Sequence, residues 1–449
     1  MGFLPLLFIL ALSSNSLSSP LPSASRLQHL PRSSCPASGI LDTYWPSWKS
    51  QTPAQIPWSD VTNFAVYFVA GTTADPASIS MPDGEAGEFV VAAHKAGKKA
   101  LLSVGGWDGS YWFSGLMSNS YSRTTFAKTI YNAIVGYGFD GADIDWEFPG
   151  SAGAGNPYSS ADAQNFLSFL AVLRSTLGKR LITLAIPGTG WAGSDGNPLT
   201  NTAPYAAYVD YVTLMAYDQW GPWLYTTGPG SPMATCNSVY ASGTSVPNLV
   251  NYWVNSGFPA CQILLGIATY SSTYVTISST LSTTYYDGKS TTAYQSTAGP
   301  SQPADPQYMF TELISHGPVT SLDVSYPLQH EVDVSHRLVP PEDWDTCTST
   351  PYLFNPQSHI FITYEDAQST GIKAQWAETH GLAGVTLYDS AGLTAKVLAA
   401  VKQGLSGADA STSIGKTGGL GTSTQGLCGG TTGQTCYGST FGNCCSVRH

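Results

Sequence analysis

The chain has 449 residues, of which only 10% are charged; 18 basic against 29 acidic side chains give a net charge of −11. That balance argues against nucleic acid or an anionic membrane as a partner. It suits instead a neutral substrate; the twelve Trp and 25 Tyr can be core, but exposed rings are also platforms for a substrate's apolar faces.

In chain order, residues 1–19 read as an export signal. The apolar run Phe3 to Leu12 is too short to span a bilayer, and a Ser-rich segment follows it. No later stretch approaches the ~20 apolar residues of a membrane span, so an extracellular protein is expected. The eight cysteines then read as disulfides. Cys35, Cys236, Cys261 and Cys347 are dispersed, while Cys428, Cys436, Cys444 and Cys445 crowd the C-terminus. Cys236–Cys261 is the favoured pair because the two flank one βα segment. Neither group has metal-ligand spacing, and no metal or cofactor is expected.

Buried-strand runs recur at 39–45, 63–69, 99–104, 139–149, 180–186, 211–218, 262–268 and 384–388, with helical patterns between them. Phe126, Ile130 and Ile134 fall at i, i+4 and i+8, and Gly136 and Gly138 stop that helix before the fourth strand. After it, Ser159-x-x-Asp162 reads as a capping box, and Phe166, Phe169, Leu170, Leu173 and Leu177 form one apolar stripe closed by Gly178. Eight such alternations imply parallel strands and an α/β fold, a (β/α)8 TIM barrel over residues 35–405. Chemistry in that fold sits at the C-terminal strand ends, where Trp107, Glu147, Asp218 and Tyr388 lie. Residues 271–363 have a short helical pattern at 308–316 and are otherwise Ser/Thr/Pro-rich. They read as an insertion between strands seven and eight that walls the cleft. Residues 406–426 are a Gly/Ser/Thr linker, and 427–449 a small Cys-rich tail.

The fourth run, Phe139-Asp140-Gly141-Ala142-Asp143-Ile144-Asp145-Trp146-Glu147-Phe148-Pro149, carries the chemistry. Alternation puts Asp143, Asp145 and Glu147 on one face and Ile144, Trp146 and Phe148 on the other, with same-face neighbours about 6.6 Å apart. Three such carboxylates repel one another when charged. At least one pKa should rise, which keeps a carboxylic acid protonated near neutral pH. A solvated edge strand needs no large apolar residues behind it, and a calcium loop needs a Gly-centred turn and more oxygen ligands.

Asp140-x-x-Asp143-x-Asp145-x-Glu147 resembles the D-G-x-D-x-D-x-E signature of glycoside hydrolase family 18, the chitinases of the class V type and their relatives. Ser103-x-Gly105-Gly106 is similar to that family's third-strand motif, and Met215-x-Tyr217-Asp218 to its sixth-strand motif. The resemblance implies that Glu147 protonates the glycosidic oxygen. It implies that Asp145 holds the substrate's own acetamide as its carbonyl attacks the anomeric carbon, with Asp143 sharing charge and Tyr217 orienting the acetamide. This is the substrate-assisted form of retaining hydrolysis. Asp218, Met215, Gly106, Trp107, Phe148, Tyr388 and Tyr44 are the implied sugar-binding residues. Two positions depart from the family: Tyr388 stands where a Trp floors the cleaved sugar, and Phe148 where a Tyr follows the acid. The tail, from Leu427-Cys428-Gly429-Gly430 to Cys444-Cys445, resembles the first half of a hevein-like chitin-binding module. The family's pairing would join Cys428 to Cys445, and the half with most of the stacking aromatics is missing, so the tail is expected not to bind.

Two other patterns fail. Gly188-x-Gly190-x-x-Gly193 follows a strand, but the residues after it read as loop, so it is no dinucleotide site. His330-Glu331 lacks the second His of a zinc-protease motif. The expected protein is a monomeric secreted chitinase acting on chitin or its oligosaccharides. The rivals are an endo-β-N-acetylglucosaminidase acting on N-glycans and a chitin-binding lectin on the same barrel.

Overall fold

A computed structural model describes residues 35, 37–81, 84–236, 244–297, 307–315, 344–407, 421–422 and 434–435. The expected export signal, most of the linker, most of the cysteine-rich tail and His330 lie outside the described residues.

Eight parallel strands close on themselves: Ile40–Pro46, Phe64–Thr72, Lys99–Gly105, Gly141–Asp145, Leu181–Pro187, Tyr211–Met215, Ile263–Ala268 and Gly384–Tyr388. Each pairs with its sequence neighbours, and the first also pairs with the eighth through Ile40↔Gly384 to Thr43↔Leu387, which shuts the barrel. Helices follow the second to eighth strands, among them Ala86–Lys95, Ser120–Tyr137, Asp162–Leu177, Val246–Asn255, Ala367–Thr379 and Ala395–Leu405. This is the expected TIM barrel, with every predicted strand in place.

Alternation along the strands sorts the core into two shells. Leu41, Trp45, Leu102, Ile144, Leu184, Val212, Leu265 and Leu387 point outward into one cluster with the helices. Residues of opposite parity point into the barrel, and their character changes with height. Ile40, Phe64, Leu101, Tyr211 and Leu264 fill the lower part as an apolar plug. One step higher stand buried Asp42, Ser103, Asp143, Thr183, Thr213 and Thr386. Above these come Tyr44, Asp145, Met215 and Tyr388. The predicted stripe on Asp162–Leu177 is buried throughout, and Gly138 and Gly178 cap their helices with φ of 85° and 61°.

Four expectations need correcting. Cys261 bonds Cys35, and Cys236 bonds Cys347. Cys236 lies above the barrel and Cys261 below it, because the helix Val246–Asn255, about 15 Å long at 1.5 Å per residue, runs between them. Sequence proximity across one helix therefore means opposite ends of the molecule. Second, the insertion has a sheet of its own. Trp344–Asp345, Thr350–Asn355, Ile360–Thr363 and Ser272–Val275 form an antiparallel sheet in that order around Tyr274, Tyr352 and Phe361. Its outgoing and returning strands pair as Ser272↔Thr363, so the insertion stands on a two-strand stem. Third, the fourth strand ends at Asp145 and the sixth at Met215, which leaves Glu147, Tyr217 and Asp218 on loops. Fourth, Ser159 does not close a capping box. Its backbone N–H donates to Asp162 Oδ2 at 2.8 Å, but its hydroxyl accepts from Ala161 N rather than from Asp162.

Candidate active site

Asp143 is held by its neighbours in the sheet. Register places Ser103 and Thr183 on either side of it, and both hydroxyls donate to it, at 2.7 Å (Oδ2) and 2.6 Å (Oδ1). Tyr44 Oη donates to Oδ2 at 3.1 Å from across the barrel. Burial pushes this carboxyl up, while the three hydroxyls favour its charged form and pull it back. Beside it, Asp42 is fully buried, accepts from Thr386 Oγ1 at 2.6 Å, and is pushed well up by that burial.

Asp145 contrasts with Asp143. It is buried, and its Oδ1 has no hydrogen-bond partner among the described residues. Burial first, then the charges of Glu147 and Asp143, raise it well above the carboxylate range. Its backbone carbonyl accepts from Gly106 N at 2.7 Å. That approach explains the paired glycines of the third-strand motif: a Cβ on Gly105 would stand 2.0 Å from Asp145 O, and Gly106 has φ of 87°.

Glu147 is half-buried, and its pKa is raised to about 7, by burial first and then by Asp218 and Asp108. Acids as close as Asp145 and Glu147 titrate as a pair, and the second charge is the costly one. Trp146 between them points outward and stacks on Phe113 at 5.2 Å, with Phe166 edge-on at 5.4 Å. The apolar face predicted for this segment thus locks the acids' direction.

A wall of rings completes the site. Tyr388 packs on Tyr44, Phe68, Tyr217 and Tyr270 with centroids 5.6–6.2 Å apart. Burial and the nearby carboxylates hold Tyr217 well above the usual phenol range. Asp218, at φ 54°, accepts from Tyr270 Oη at 2.8 Å and borders a small pocket lined also by Tyr217, Ser231, Thr363 and Glu365. Thr363 and Ser272 of that lining belong to the insertion's stem, which thus borders the pocket beside Asp218. Met215 faces inward, half-buried, at the end of its strand; Phe148 is half-buried beyond the acid; Trp107 stands 53% exposed past Gly106. Asp140, first in the acidic motif, sits at the opposite barrel end, where it accepts from Ala100 N.

Sequence reasoning missed Asp42, Thr183, Phe68, Asp108 and Tyr270. Thr183 and Asp42 share the inward parity of Asp143 and could have been found by aligning strands in the barrel. Tyr270 and Asp108 lie on loops without periodicity. The Gly188–Gly193 segment is loop, as expected.

A family model described as glycosyl hydrolases family 18 matches residues 41–391. A chitinase-like effector of Moniliophthora roreri is 32% identical over 378 residues, covering 79% of this chain and 89% of that protein. Chitinase A1 of Niallia circulans is 28% identical over 320 residues, 67% of this chain and 41% of its own. The crystal structure of a chitinase from Rhizomucor miehei superposes with a TM-score of 0.68 at 26% identity, covering 81% of this chain and 99% of that one.

Proposed function

This chain belongs to glycosyl hydrolases family 18, and we propose that it hydrolyses β-1,4-linked N-acetylglucosamine polymers by a retaining, substrate-assisted route. The observation that carries this is the contrast along the fourth strand. Asp143 accepts from three hydroxyls, Asp145 keeps one buried oxygen without a partner among the described residues, and burial pushes Glu147 up to about 7. A protein carboxylate acting as nucleophile needs an unobstructed path to the anomeric carbon. Asp145 Oδ1 suits instead an acetamide N–H, which would supply the missing donor.

In this reading Glu147 gives its proton to the glycosidic oxygen as the C–O bond breaks. The acetamide carbonyl oxygen bonds to the anomeric carbon, and the cationic ring formed is stabilised by Asp145 with Asp143 behind it. Glu147, now ionised, takes a proton from the water that reopens the ring, and the β configuration is retained. Tyr217 orients the acetamide. Tyr388, Tyr44 and Met215 line the sugar's site, Asp218 takes one of its hydroxyls, and Trp107 offers an exposed ring to a neighbouring sugar. The protein acts as a monomer outside the cell.

A second reading, a barrel that binds chitin fragments with little turnover, is favoured by Tyr388 in place of Trp and by the similarity to the Moniliophthora effector. Product analysis from defined chitin oligomers decides. β-Anomeric products that vanish in Glu147→Gln support hydrolysis. Tight oligomer binding without products supports the second reading.

A further inference from the structure

The fourth strand's hydrogen-bond ladder ends at Asp145, so the peptide groups of Glu147 lie beyond it and need other partners. Two side chains from different loops supply them. Ser110, 1% exposed, accepts from Glu147 N at 3.0 Å through its Oγ, and the same hydroxyl lies 2.8 Å from Gly106 O and 3.1 Å from Asp145 O. One hydroxyl proton and two lone pairs fit this arrangement: the N–H is accepted while the proton goes to the carbonyls. On the other side, Asn156, 7% exposed, donates from Nδ2 to Glu147 O at 3.1 Å.

The two loops are themselves joined. Asp162, fully buried, accepts from Ser114 Oγ at 2.8 Å on the third-strand side. On the fourth-strand side it accepts from Ser159 N at 2.8 Å and Gly150 N at 3.3 Å. The segment after strand three and the segment after strand four thus meet at one carboxylate, with the peptide of Glu147 held between them.

We propose that Ser110 and Asn156 are positioning residues that clamp the backbone of Glu147 from both sides and so aim its carboxyl at the glycosidic oxygen. The proposal rests on Glu147 being the acid. Neither residue touches the sugar in this reading; each acts through the peptide it holds. A displacement of about 1 Å at a reacting group can cost about 100-fold in rate, so the clamp should appear in the chemical step and not in substrate binding.

The test compares Ser110→Ala, Asn156→Ala and the double variant of the full chain, with Ser110→Thr as the variant that keeps the hydroxyl. Steady-state kinetics on chitin oligomers, oligomer affinity and melting curves are measured on each. The expected result is a kcat about 10–100-fold lower for Ser110→Ala with KM and affinity within about twofold. Ser110→Thr should recover much of that loss, and the double variant should lose less than the product of the singles, because both act through one peptide. A kcat within twofold of wild type in both single variants overturns the clamp, whatever the melting temperature does. If Ser110→Ala does not fold, Asn156→Ala alone carries the decision. Glu147→Gln separates the two failures: turnover in that variant sinks the assignment of the acid, whereas an inactive Glu147→Gln beside fully active Ser110→Ala and Asn156→Ala sinks only the clamp.

Discussion

The lower and upper parts of the barrel interior are both built from inward positions of the barrel strands, and they do opposite things. Below, Ile40, Phe64, Leu101 and Leu264 meet as apolar surface and need nothing from one another but contact. Above, Asp42, Asp143 and Asp145 are buried just as deeply, and each must find hydrogen-bond donors or hold on to a proton. Asp143 finds three hydroxyls. Asp145 and Glu147 have no such set among the described residues, and burial raises them with no hydroxyl to pull them back. The lower part contributes stability, and the upper part draws on it to keep an acid protonated where water alone would ionise it.

Two substitutions test that division most severely. Glu147→Gln removes the proton and keeps the shape, so kcat should fall by about 10²–10⁴ while oligomer affinity persists. A variant that still turns over at a tenth of the wild-type rate would mean the upper part does not work as described. Leu264→Ala, in the plug, should do the reverse. It should cost about 2–5 kcal/mol in denaturant unfolding and leave kcat near wild type at temperatures where the variant is folded. A large loss of kcat there would show that the two parts are not separable.

How much of this was legible before the fold was known follows the same division. The strands could be read because inward and outward positions are both apolar over most of their length, giving the unbroken runs of a sheet covered on both faces. The three acids could be read because strand parity holds up to Asp145, and Glu147 keeps that direction through the packing of Trp146. The partners of Asp143 were harder to read, since Ser103 and Thr183 meet it only once the flanking strands are aligned, and Tyr44 only once the barrel closes. The sheet within the insertion went unread for a different reason. Its strands are short and rich in Thr and Ser, and their small core of Tyr274, Tyr352 and Phe361 leaves little alternation to detect. The disulfides follow height in the barrel, which sequence spacing does not encode.

A subtler break in the comparison is the response to pH. The folded-state pKa of Glu147, pushed up to about 7, exceeds the ordinary 4.5 of a glutamate, so the folded protein binds more protons between those values. Stability is therefore highest below about pH 4.5 on this account and declines as pH rises through 7. Asp42, Asp143 and Asp145 are raised as well and act in the same direction. Glu147→Gln escapes its own share. It should be more stable than wild type at pH 8 by about 1–3 kcal/mol, with the gap closing toward pH 4, while wild-type kcat/KM falls above about pH 7 as the donor is lost. Equal unfolding free energies at pH 8 would mean that Glu147 is not held protonated by its surroundings.

The smallest expected effect concerns Tyr388, where the two parts of the interior give way to the sugar. Its ring is enclosed by Tyr44, Phe68, Tyr217 and Tyr270, and half-buried at the open end of the eighth strand. A phenol offers less stacking surface than an indole, and a floor matters most when the ring above it distorts toward the transition state. The deficit should therefore lie in kcat more than in KM. Tyr388→Trp should raise kcat on chitin oligomers severalfold, corresponding to about 0.5–1.5 kcal/mol of aromatic contact. The four enclosing rings leave little room for the larger side chain, so the gain should come with a lower melting temperature, an overpacking cost of about 1–3 kcal/mol. The two measurements separate the possibilities. Faster turnover with reduced stability places Tyr388 beneath the sugar, whereas reduced stability with unchanged kcat makes it a member of the packed wall alone. If neither changes, the ring lies away from the sugar, and the site's floor must be sought among Phe68, Tyr217 and Tyr270.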